Sequence, residues 1–287
     1  MPEDRDDPDG AKVSLHVVVF PSYNPDPEPD PVIYLMGGGG GNALGAADYY
    51  LRTVGNRVRQ SRDFIIYNQR GTHHNEPFLG CPGEAEFRKE LAAQDLSREE
   101  ADARNEAFLL DCRDHLLEQG VNLAMYNSVT NAADANDLRQ ALGYEKANYY
   151  GTSYGTRLGL AILRYHPEGV RSVILDSVFP PQVDYPSDSI PSFVNAIDRV
   201  FAACSNDASC NRRFPELEET FYQAIDSLQA EPDSITIDGK PVVVDDKMFL
   251  DSIYMALHPA TAIPDIPQAI DAASRGVMGP LKWAIES

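Results

Sequence analysis

The sequence lacks any long run of apolar residues. None of its 287 residues belongs to a stretch that approaches the roughly 18 consecutive apolar residues of a membrane-spanning helix, so we expect no membrane span. Basic residues are also scarce, because 24 Lys and Arg accompany 44 Asp and Glu, for a formal net charge of −20. A phosphate backbone would be repelled by this charge, and no basic stripe offsets it. Nucleic acid is therefore excluded as a partner.

Cysteine is sparse and is not arranged for metal binding. The four cysteines Cys81, Cys112, Cys204 and Cys210 form no C-x-x-C motif, and no histidine stands at the spacing of a zinc ligand. We predict two disulfides, Cys81 with Cys112 and Cys204 with Cys210; four buried free thiols in a cytosolic protein are the alternative. Disulfides imply a secreted or cell-envelope protein. No signal peptide follows Met1, so we expect a leader to have been removed or left out of this sequence.

The pattern G-x-S-x-G occurs at residues 151–155, between an apolar run suited to a buried strand and apolar residues at helical spacing. A strand that reverses into a helix within one residue strains the backbone of Ser153 and leaves no room for side chains on either side, hence the two glycines. The following amides lie at a helix N-terminus, where a developing oxyanion is favoured. We predict a nucleophile elbow with Ser153 as the nucleophile and the amide of Tyr154 as an oxyanion donor. A chance occurrence of the pattern is the alternative.

Five consecutive glycines, residues 37–41, follow the predicted buried strand 32–36. No regular element tolerates such a run, so it must serve a close approach of the backbone. A phosphate-binding loop would need a lysine after the glycines, and none follows, so we predict no cofactor. A flexible linker remains an alternative. We favour an oxyanion loop in which the amide of Gly38 or Gly39 points at a substrate carbonyl attacked by Ser153.

Strand and helix patterns alternate along the first 185 residues, which predicts an α/β fold with a mostly parallel sheet and helices on both faces. The predicted strands are 12–20, 32–36, 64–67, 147–150 and 170–175, and the predicted helical regions are 46–59, 84–119, 126–142 and 156–165. The charged, turn-rich segment 2–10 is predicted to be frayed.

The pattern changes at the two prolines 180 and 181. Beyond them we predict amphipathic helices at 194–204, 217–228, 247–257 and 266–274, and a hairpin over 235–244 that turns at Asp238-Gly239. We therefore expect a core over residues 1–185 and a helical lid over 186–287, laid across the ends of the strands. An independent second domain is the alternative.

A polar segment follows the predicted strand 64–67. Its adjacent histidines, His73 and His74, suggest a metal site, but neighbours in sequence rarely point the same way and no carboxylate stands at the spacing a zincin requires. We predict a loop that lines the mouth of a pocket, and no metal. Arg70 is predicted to be a structural centre of ion pairs and hydrogen bonds rather than a catalyst.

Four motifs in this order resemble the α/β-hydrolase branch of proline iminopeptidases and secreted tripeptidyl aminopeptidases. They are the glycine run 37–41, Asn68-Gln69-Arg70-Gly71-Thr72, the elbow at 151–156 and the segment 176–181. The resemblance covers residues 10–280, and both cysteine pairs fit its secreted members. It implies an α/β-hydrolase fold and a serine aminopeptidase that takes residues from the N-terminus of a peptide. A carboxylesterase acting on ester substrates and a non-catalytic binding protein of the same fold are the alternatives.

The sequence also departs from the family pattern. Met36 and Gly39 replace a histidine and a proline of the family's glycine segment, and Asn68 replaces an aspartate whose charge would pair with Arg70. In the family, the acid and the histidine of the triad follow the lid, so we expect both to lie beyond Ser287. No resident histidine is favoured as the base and no substrate-binding residue is predicted. We expect the segment alone to be inactive, and its strand 170–175 to be an open edge that needs a complementary segment or chain.

Overall fold

The computed structural model describes residues 1–94, 96–237 and 239–282. The chain divides into two compact units, one made of Met1–Pro82 and Ala107–Val183, the other of Gly83–Glu106 and the residues from Asp184 onward. The first unit contains the larger sheet. The second is mainly helical, and each unit has hydrophobic clusters of its own.

A five-stranded sheet forms the centre of the first unit. Its strands are β1 (Val17–Phe20), β2 (Val32–Leu35), β3 (Phe64–Tyr67), β4 (Ala147–Thr152) and β5 (Val170–Asp176), in the spatial order β1-β3-β2-β4-β5. Strands β2 to β5 run parallel to their neighbours, whereas β1 pairs antiparallel with β3. The predicted α/β fold with a mostly parallel sheet is therefore confirmed.

The central strands are buried along their whole length. All four residues of β2 and of β3 are buried, as expected of parallel strands that are covered on both faces and read as continuous apolar runs. The predicted strand 12–20 forms only at β1, because its first half pairs through isolated bridges such as Ser14 with Glu76. Short apolar runs therefore predicted the bounds of the central strands more accurately than the alternating pattern predicted those of the edge strand.

Helices cover both faces of the sheet, as predicted. On one face, helical residues including Ala132, Leu138 and Ile162 pack against the sheet; on the other, Ala47 and Tyr50 do so. The helices up to residue 165 are α1 (Ala47–Tyr50), which continues through a π-helical turn (Leu51–Gly55) into α2 (Asn56–Val58), then α3 (Glu84–Ala92), α4 (Arg98–Glu118), α5 (Ser128–Ala141) and α6 (Tyr154–Tyr165), with 3-10 turns at Leu123–Met125 and Pro167–Gly169.

The N-terminal residues are folded, so the prediction that residues 2–10 are frayed was wrong. Glu3 is only 4% exposed, and its carboxylate accepts a hydrogen bond of 2.8 Å from the hydroxyl of Tyr126. Arg5 forms a 2.7 Å ion pair with Asp134, whose side chain is fully buried. These partners lie more than a hundred residues away in sequence, so a local reading of charge and turn residues missed them.

Arg70 is the structural centre that the sequence predicted. Its guanidinium binds both carboxylate oxygens of Asp134, at 2.6 and 2.7 Å, and both side chains are 0% exposed. It also donates to the carbonyl oxygens of Glu3 and Met125, at 2.8 and 3.0 Å. Position 68 carries no charge to pair with Arg70, and Asp134 of α5 supplies the carboxylate instead.

The second unit is built from helices and one hairpin. Its elements beyond residue 184 are α7 (Tyr185–Asn206), α8 (Ala208–Arg213), α9 (Leu217–Ala230), β6 (Asp233–Ile237), β7 (Lys240–Val244), α10 (Asp246–Ala256) and α11 (Ile266–Ala273), with 3-10 turns at Ile263–Asp265 and Gly279–Leu281. Helix α7 begins nine residues before the predicted start at 194. A proline in its first turn is tolerated there, and the helix also continues through Pro191. The predicted turn residue Asp238 lies outside the described residues, and Gly239 has the positive φ of 77° that such a turn requires.

The two predicted cysteine pairs are the two disulfides of the structure. Cys81–Cys112 belongs to a small apolar cluster of the first unit with Leu116 and Val121. Cys204–Cys210 joins α7 to α8 in the second unit. Among the residues that the structure describes, no helix combines the length and apolar character needed to cross a bilayer.

We predict that Tyr67→Phe reduces the alkaline sensitivity of the protein. Among the described residues the Tyr67 hydroxyl has no hydrogen-bond partner, and burial, followed by the charge of Asp134, raises its pKa well above the ordinary value. The unfolded tyrosine ionises near pH 10 and the folded one does not, so its contribution to stability is present below about pH 10 and is lost above it. Urea unfolding at pH 7 and about pH 10.5 should show less loss of stability in the variant.

The same variant should be as stable as the wild type, or about 1 kcal/mol more stable, at pH 7, because it removes an unpaired buried hydroxyl. Tyr23→Phe is the control, since Tyr23 is 54% exposed and its hydroxyl bonds to Asn56. An unchanged pH dependence in Tyr67→Phe would contradict the prediction.

We also predict unequal losses of stability when the two disulfides are removed. The Cys81–Cys112 bond closes a loop of 31 residues and Cys204–Cys210 one of 6. Loop-closure entropy then gives roughly 3.5 kcal/mol for the first bond and roughly 2 kcal/mol for the second. Paired Cys→Ser variants, compared by urea unfolding, should rank in this order. An equal or reversed ranking would show that native contacts, rather than loop length, dominate.

Candidate active site

Ser153 lies at the turn where β4 ends and α6 begins. Its backbone has φ 54° and ψ −119°, a conformation that a non-glycine residue adopts at a cost of about 1–3 kcal/mol. The side chain is exposed, and its hydroxyl makes no hydrogen bond to any residue in the described part of the chain. A strained serine with a free hydroxyl above the end of a central strand matches the geometry expected of a nucleophile elbow.

The two glycines of the pattern are required by close packing. A Cβ on Gly151 would lie 2.3 Å from the carbonyl oxygen of Gly155. A Cβ on Gly155 would lie 2.0 Å from the carbonyl oxygen of Leu35, on the neighbouring strand β2. Any side chain at either position would force the helix away from the sheet. The steric reason predicted from the sequence therefore holds.

Three hydrogen bonds hold the strained turn in place. The amide of Ser153 donates to the carbonyl of Asp176 at 3.0 Å, which extends the β4–β5 pairing by one residue. The buried Thr156 hydroxyl donates to the carbonyl of Ser153 at 2.6 Å and accepts from the amide of Phe179 at 2.7 Å. Thr156 therefore connects the turn to the segment that follows β5, a role that sequence reasoning missed.

The glycine run lies directly beside Ser153. A Cβ on Gly37 would lie 2.8 Å from the Thr152 carbonyl oxygen and 3.1 Å from the Cβ of Ser153. Gly38 and Gly39 have φ values of 76° and 52°, in the region that favours glycine. The structure thus brings the glycine loop and the elbow together, as the oxyanion hypothesis requires.

The ring of Tyr154 lies beside this loop. A Cβ built on Gly39 would be 3.9 Å from the Tyr154 ring, and the Tyr154 hydroxyl lies 3.0 Å from the hydroxyl of Ser128 at the start of α5. The Tyr154 amide lies in the first turn of α6, where backbone amides have no partner within the helix. This is the environment that an oxyanion donor needs, and the roles of Tyr154, Gly38 and Gly39 as donors stay predictions.

The carboxylate of Asp176 lies at the end of the neighbouring strand β5, and a group of tyrosines from β2, β4 and α1 lies beside it. The Tyr150 hydroxyl donates to Asp176 at 2.8 Å, and burial, together with this carboxylate, raises the pKa of Tyr150. The Tyr34 ring lies between those of Tyr50 and Tyr150, with centroid distances of 4.2 and 5.6 Å. The sequence analysis gave Asp176 no role. Its position at the carboxyl end of the strand next to the elbow could have indicated one, because ligands of α/β sheets bind at that end.

The histidines of the first unit do not contact the serine. His73 packs on Phe78 at 4.8 Å, and His74 lies 6.2 Å from His16. Within the described residues of this unit, no histidine forms a hydrogen bond with Ser153 Oγ. In the same described part of the chain, no three His, Cys, Asp or Glu side chains converge as metal ligands would. Within the described part of this unit, the predicted nucleophile Ser153 therefore has no histidine as a hydrogen-bond partner.

Comparison with known proteins gives several relatives. The chain is 32% identical over 219 residues to the serine protease Hip1 of Mycobacterium tuberculosis, covering 73% of this chain and 41% of that protein. It is 32% identical over 157 residues to the tripeptidyl aminopeptidase of Streptomyces lividans, covering 53% and 29%. The chain thus spans about two fifths of the length of the first relative. These matches confirm the predicted resemblance.

A solved structure and a family model complete the comparison. An α/β-hydrolase enzyme, MGS-M2, from a Medee basin deep-sea metagenome library shares 8% sequence identity with a TM-score of 0.37, over 94% of this chain and 70% of that one. The family model described as alpha/beta hydrolase fold matches residues 30–233, from just before β2 to the start of β6. Because this match includes the strained serine, both required glycines and more than half of the chain, the chain belongs to the α/β-hydrolase family.

Proposed function

We propose that the chain carries the nucleophile of a serine hydrolase that releases residues from the N-terminus of peptides through an acyl-enzyme on Ser153. The observation that carries the proposal is the strained, exposed Ser153 beside the glycine loop. A serine in a relaxed turn would carry no strain energy. The strained conformation at Ser153 is therefore explained by the need to hold the hydroxyl clear of the sheet.

The chemistry is acyl transfer to water. Ser153 Oγ attacks the substrate carbonyl while a histidine takes its proton, and the amides of Tyr154 and of Gly38 or Gly39 hold the resulting oxyanion. The histidine then protonates the leaving amine, and water hydrolyses the ester on Ser153 by the reverse sequence of proton transfers. Loss of one oxyanion donor typically costs about a hundred- to a thousandfold in rate.

We further propose that the base and the acid come from a segment or chain other than residues 1–287. Support comes from the lack of a histidine hydrogen bond to Ser153 within the described first unit, and from strand β5, whose outer side pairs with no strand among the described residues. Ile174 on β5 is 54% exposed. An apolar edge strand with unpaired backbone groups is a template for added strands.

The relatives favour a peptidase over other hydrolases. Hip1 is named a serine protease and the Streptomyces relative a tripeptidyl aminopeptidase. The second of these names favours release of residues from the N-terminus of a peptide, and a carboxylesterase that uses the same serine is the alternative.

The two disulfides support a secreted or cell-envelope enzyme. Disulfides persist in oxidising compartments and are rare in the cytosol. The strongly acidic surface, with a net charge of −20, is compatible with export and with cationic peptide substrates. The second candidate function is a non-catalytic binding protein of the same fold, which the absence of a histidine contact at Ser153 within the described first unit favours.

We predict that Ser153→Ala abolishes both covalent labelling and turnover. The protein should be purified from its own host, so that any segment or partner that supplies the base is retained. A fluorophosphonate should label Ser153, as detected by mass spectrometry of the intact protein and its peptides. Hydrolysis of an aminoacyl nitroanilide should fall by about a millionfold in the variant.

The substrate's own amine provides the matched control. N-acetylation of the nitroanilide should abolish turnover by an aminopeptidase, whose binding depends on the free ammonium, and should hardly affect an esterase. Unchanged turnover in Ser153→Ala would contradict the assignment of the nucleophile. An unlabelled Ser153 in the host-purified protein would favour the binding protein instead.

A further inference from the structure

The glycine loop has no side chains with which to hold itself in place. Residues 37–41 are all glycine, and Gly38 and Gly39 are exposed. An unanchored glycine segment samples many backbone conformations, and its amides then point in no fixed direction. Stabilisation of an oxyanion requires donors that are already aimed before the reaction. Other residues must therefore fix the two ends of this loop.

Gln69 fixes the first end. Its Nε2 donates a 2.9 Å hydrogen bond to the carbonyl oxygen of Met36, and Gln69 is only 3% exposed. The carbonyl of Met36 and the amide of Gly37 belong to one planar peptide unit, so this bond also sets the direction of the Gly37 amide. Gly37 is the glycine that lies against Ser153.

Asn68 fixes the other end. Its Oδ1 accepts a 3.0 Å hydrogen bond from the amide of Leu44, and its Nδ2 donates to Oδ1 of Asn42 at 3.2 Å and to the carbonyl of His73. Asn68 is 0% exposed. One buried side chain therefore holds the segment that leaves the glycine run.

The two anchors are themselves held rigidly. They follow β3, the strand that pairs with β2, so they start beside the strand that leads into the loop. The Asn75 side chain donates to the carbonyl oxygens of Asn68 and Gln69, at 2.9 and 2.6 Å, and the Thr72 hydroxyl donates to that of Gln69 at 2.7 Å. Buried amides with all these contacts have little freedom to move.

We infer that Asn68 and Gln69 are positioning residues that together hold both ends of the glycine loop and thereby aim its amides at the substrate oxyanion. The inference rests on the proposed function. It also gives a purpose to the change at position 68, because an amide donates to Asn42 and His73 whereas an ionised aspartate only accepts.

The first test compares Gln69→Met with Gln69→Glu in the host-purified protein. Methionine keeps the volume and removes the hydrogen bond to Met36, so the rate of fluorophosphonate labelling at Ser153 should fall about 10- to 100-fold. A glutamate carries a donor only when it is protonated, and burial favours protonation. The labelling rate of Gln69→Glu relative to wild type should therefore rise as the pH falls, while the ratio for Gln69→Met stays flat.

The control is Asn148→Leu, which removes a similar bond at the opposite end of the sheet. Asn148 Nδ2 donates to the carbonyl of Asp30 at 3.0 Å, far along β4 from Ser153. This variant should lose thermal stability and label at the wild-type rate. Wild-type labelling in Gln69→Met, or the same pH profile for Gln69→Met and Gln69→Glu, would overturn the inference.

A second measurement does not depend on a reactive serine. Hydrogen exchange of the backbone amides in residues 37–45 should be faster in Gln69→Met and in Asn68→Leu than in the wild type, and unchanged in Asn148→Leu. The exchange rate in Asn68→Asp should lie between those of the wild type and Asn68→Leu, because the aspartate keeps the acceptor for the Leu44 amide. An unlabelled wild-type Ser153 would defeat the proposed function alone, whereas unchanged exchange in both loop variants would overturn the anchoring.

Discussion

The contact between the first turn of α6 and the end of β2 is the constraint on which the rest of the site depends. Gly155 lies so close to Leu35 that even a methyl group would meet the carbonyl oxygen at 2.0 Å. This approach brings the helix N-terminus down onto the sheet, so Ser153 has to reverse the chain within one residue. The strain of about 1–3 kcal/mol is then offset by the hydrogen bond that the Ser153 amide donates to the Asp176 carbonyl and by the one that the Ser153 carbonyl accepts from Thr156.

The same constraint explains why the supporting residues are polar and buried. Backbone groups at the strand ends beside Ser153 are costly to bury unless side chains satisfy their hydrogen bonds. Gln69 donates to the Met36 carbonyl and Asn68 accepts from the Leu44 amide, one on each side of the glycine run. The Arg70–Asp134 pair joins the segment after β3 to α5. Three consecutive residues after one strand thus perform three different structural tasks.

Local sequence patterns predicted the strands of the sheet and the elbow, because each of these is formed by a short run of consecutive residues. The predicted strand 64–67 matches β3 residue for residue, since an apolar run between polar segments can only be buried. What could not be predicted depends on distant contacts: the docking of Glu3, the partner of Arg70, and the roles of Thr156 and Gln69. Each needs knowledge of which side chain arrives from a different part of the chain, and sequence spacing contains no such information.

Hydrogen bonds connect the last segment of the first unit to the turn that carries Ser153. Arg157, one turn after Ser153, donates to the carbonyl oxygens of Pro180 and Val183 at 3.0 and 2.8 Å, and its guanidinium lies 4.0 Å from the centroid of the Phe179 ring. The Phe179 amide is held by Thr156, the residue that also stabilises the carbonyl of the strained serine. Because one helical turn binds both segments, any rearrangement of residues 179–183 must either break these bonds or move the turn that carries the hydroxyl.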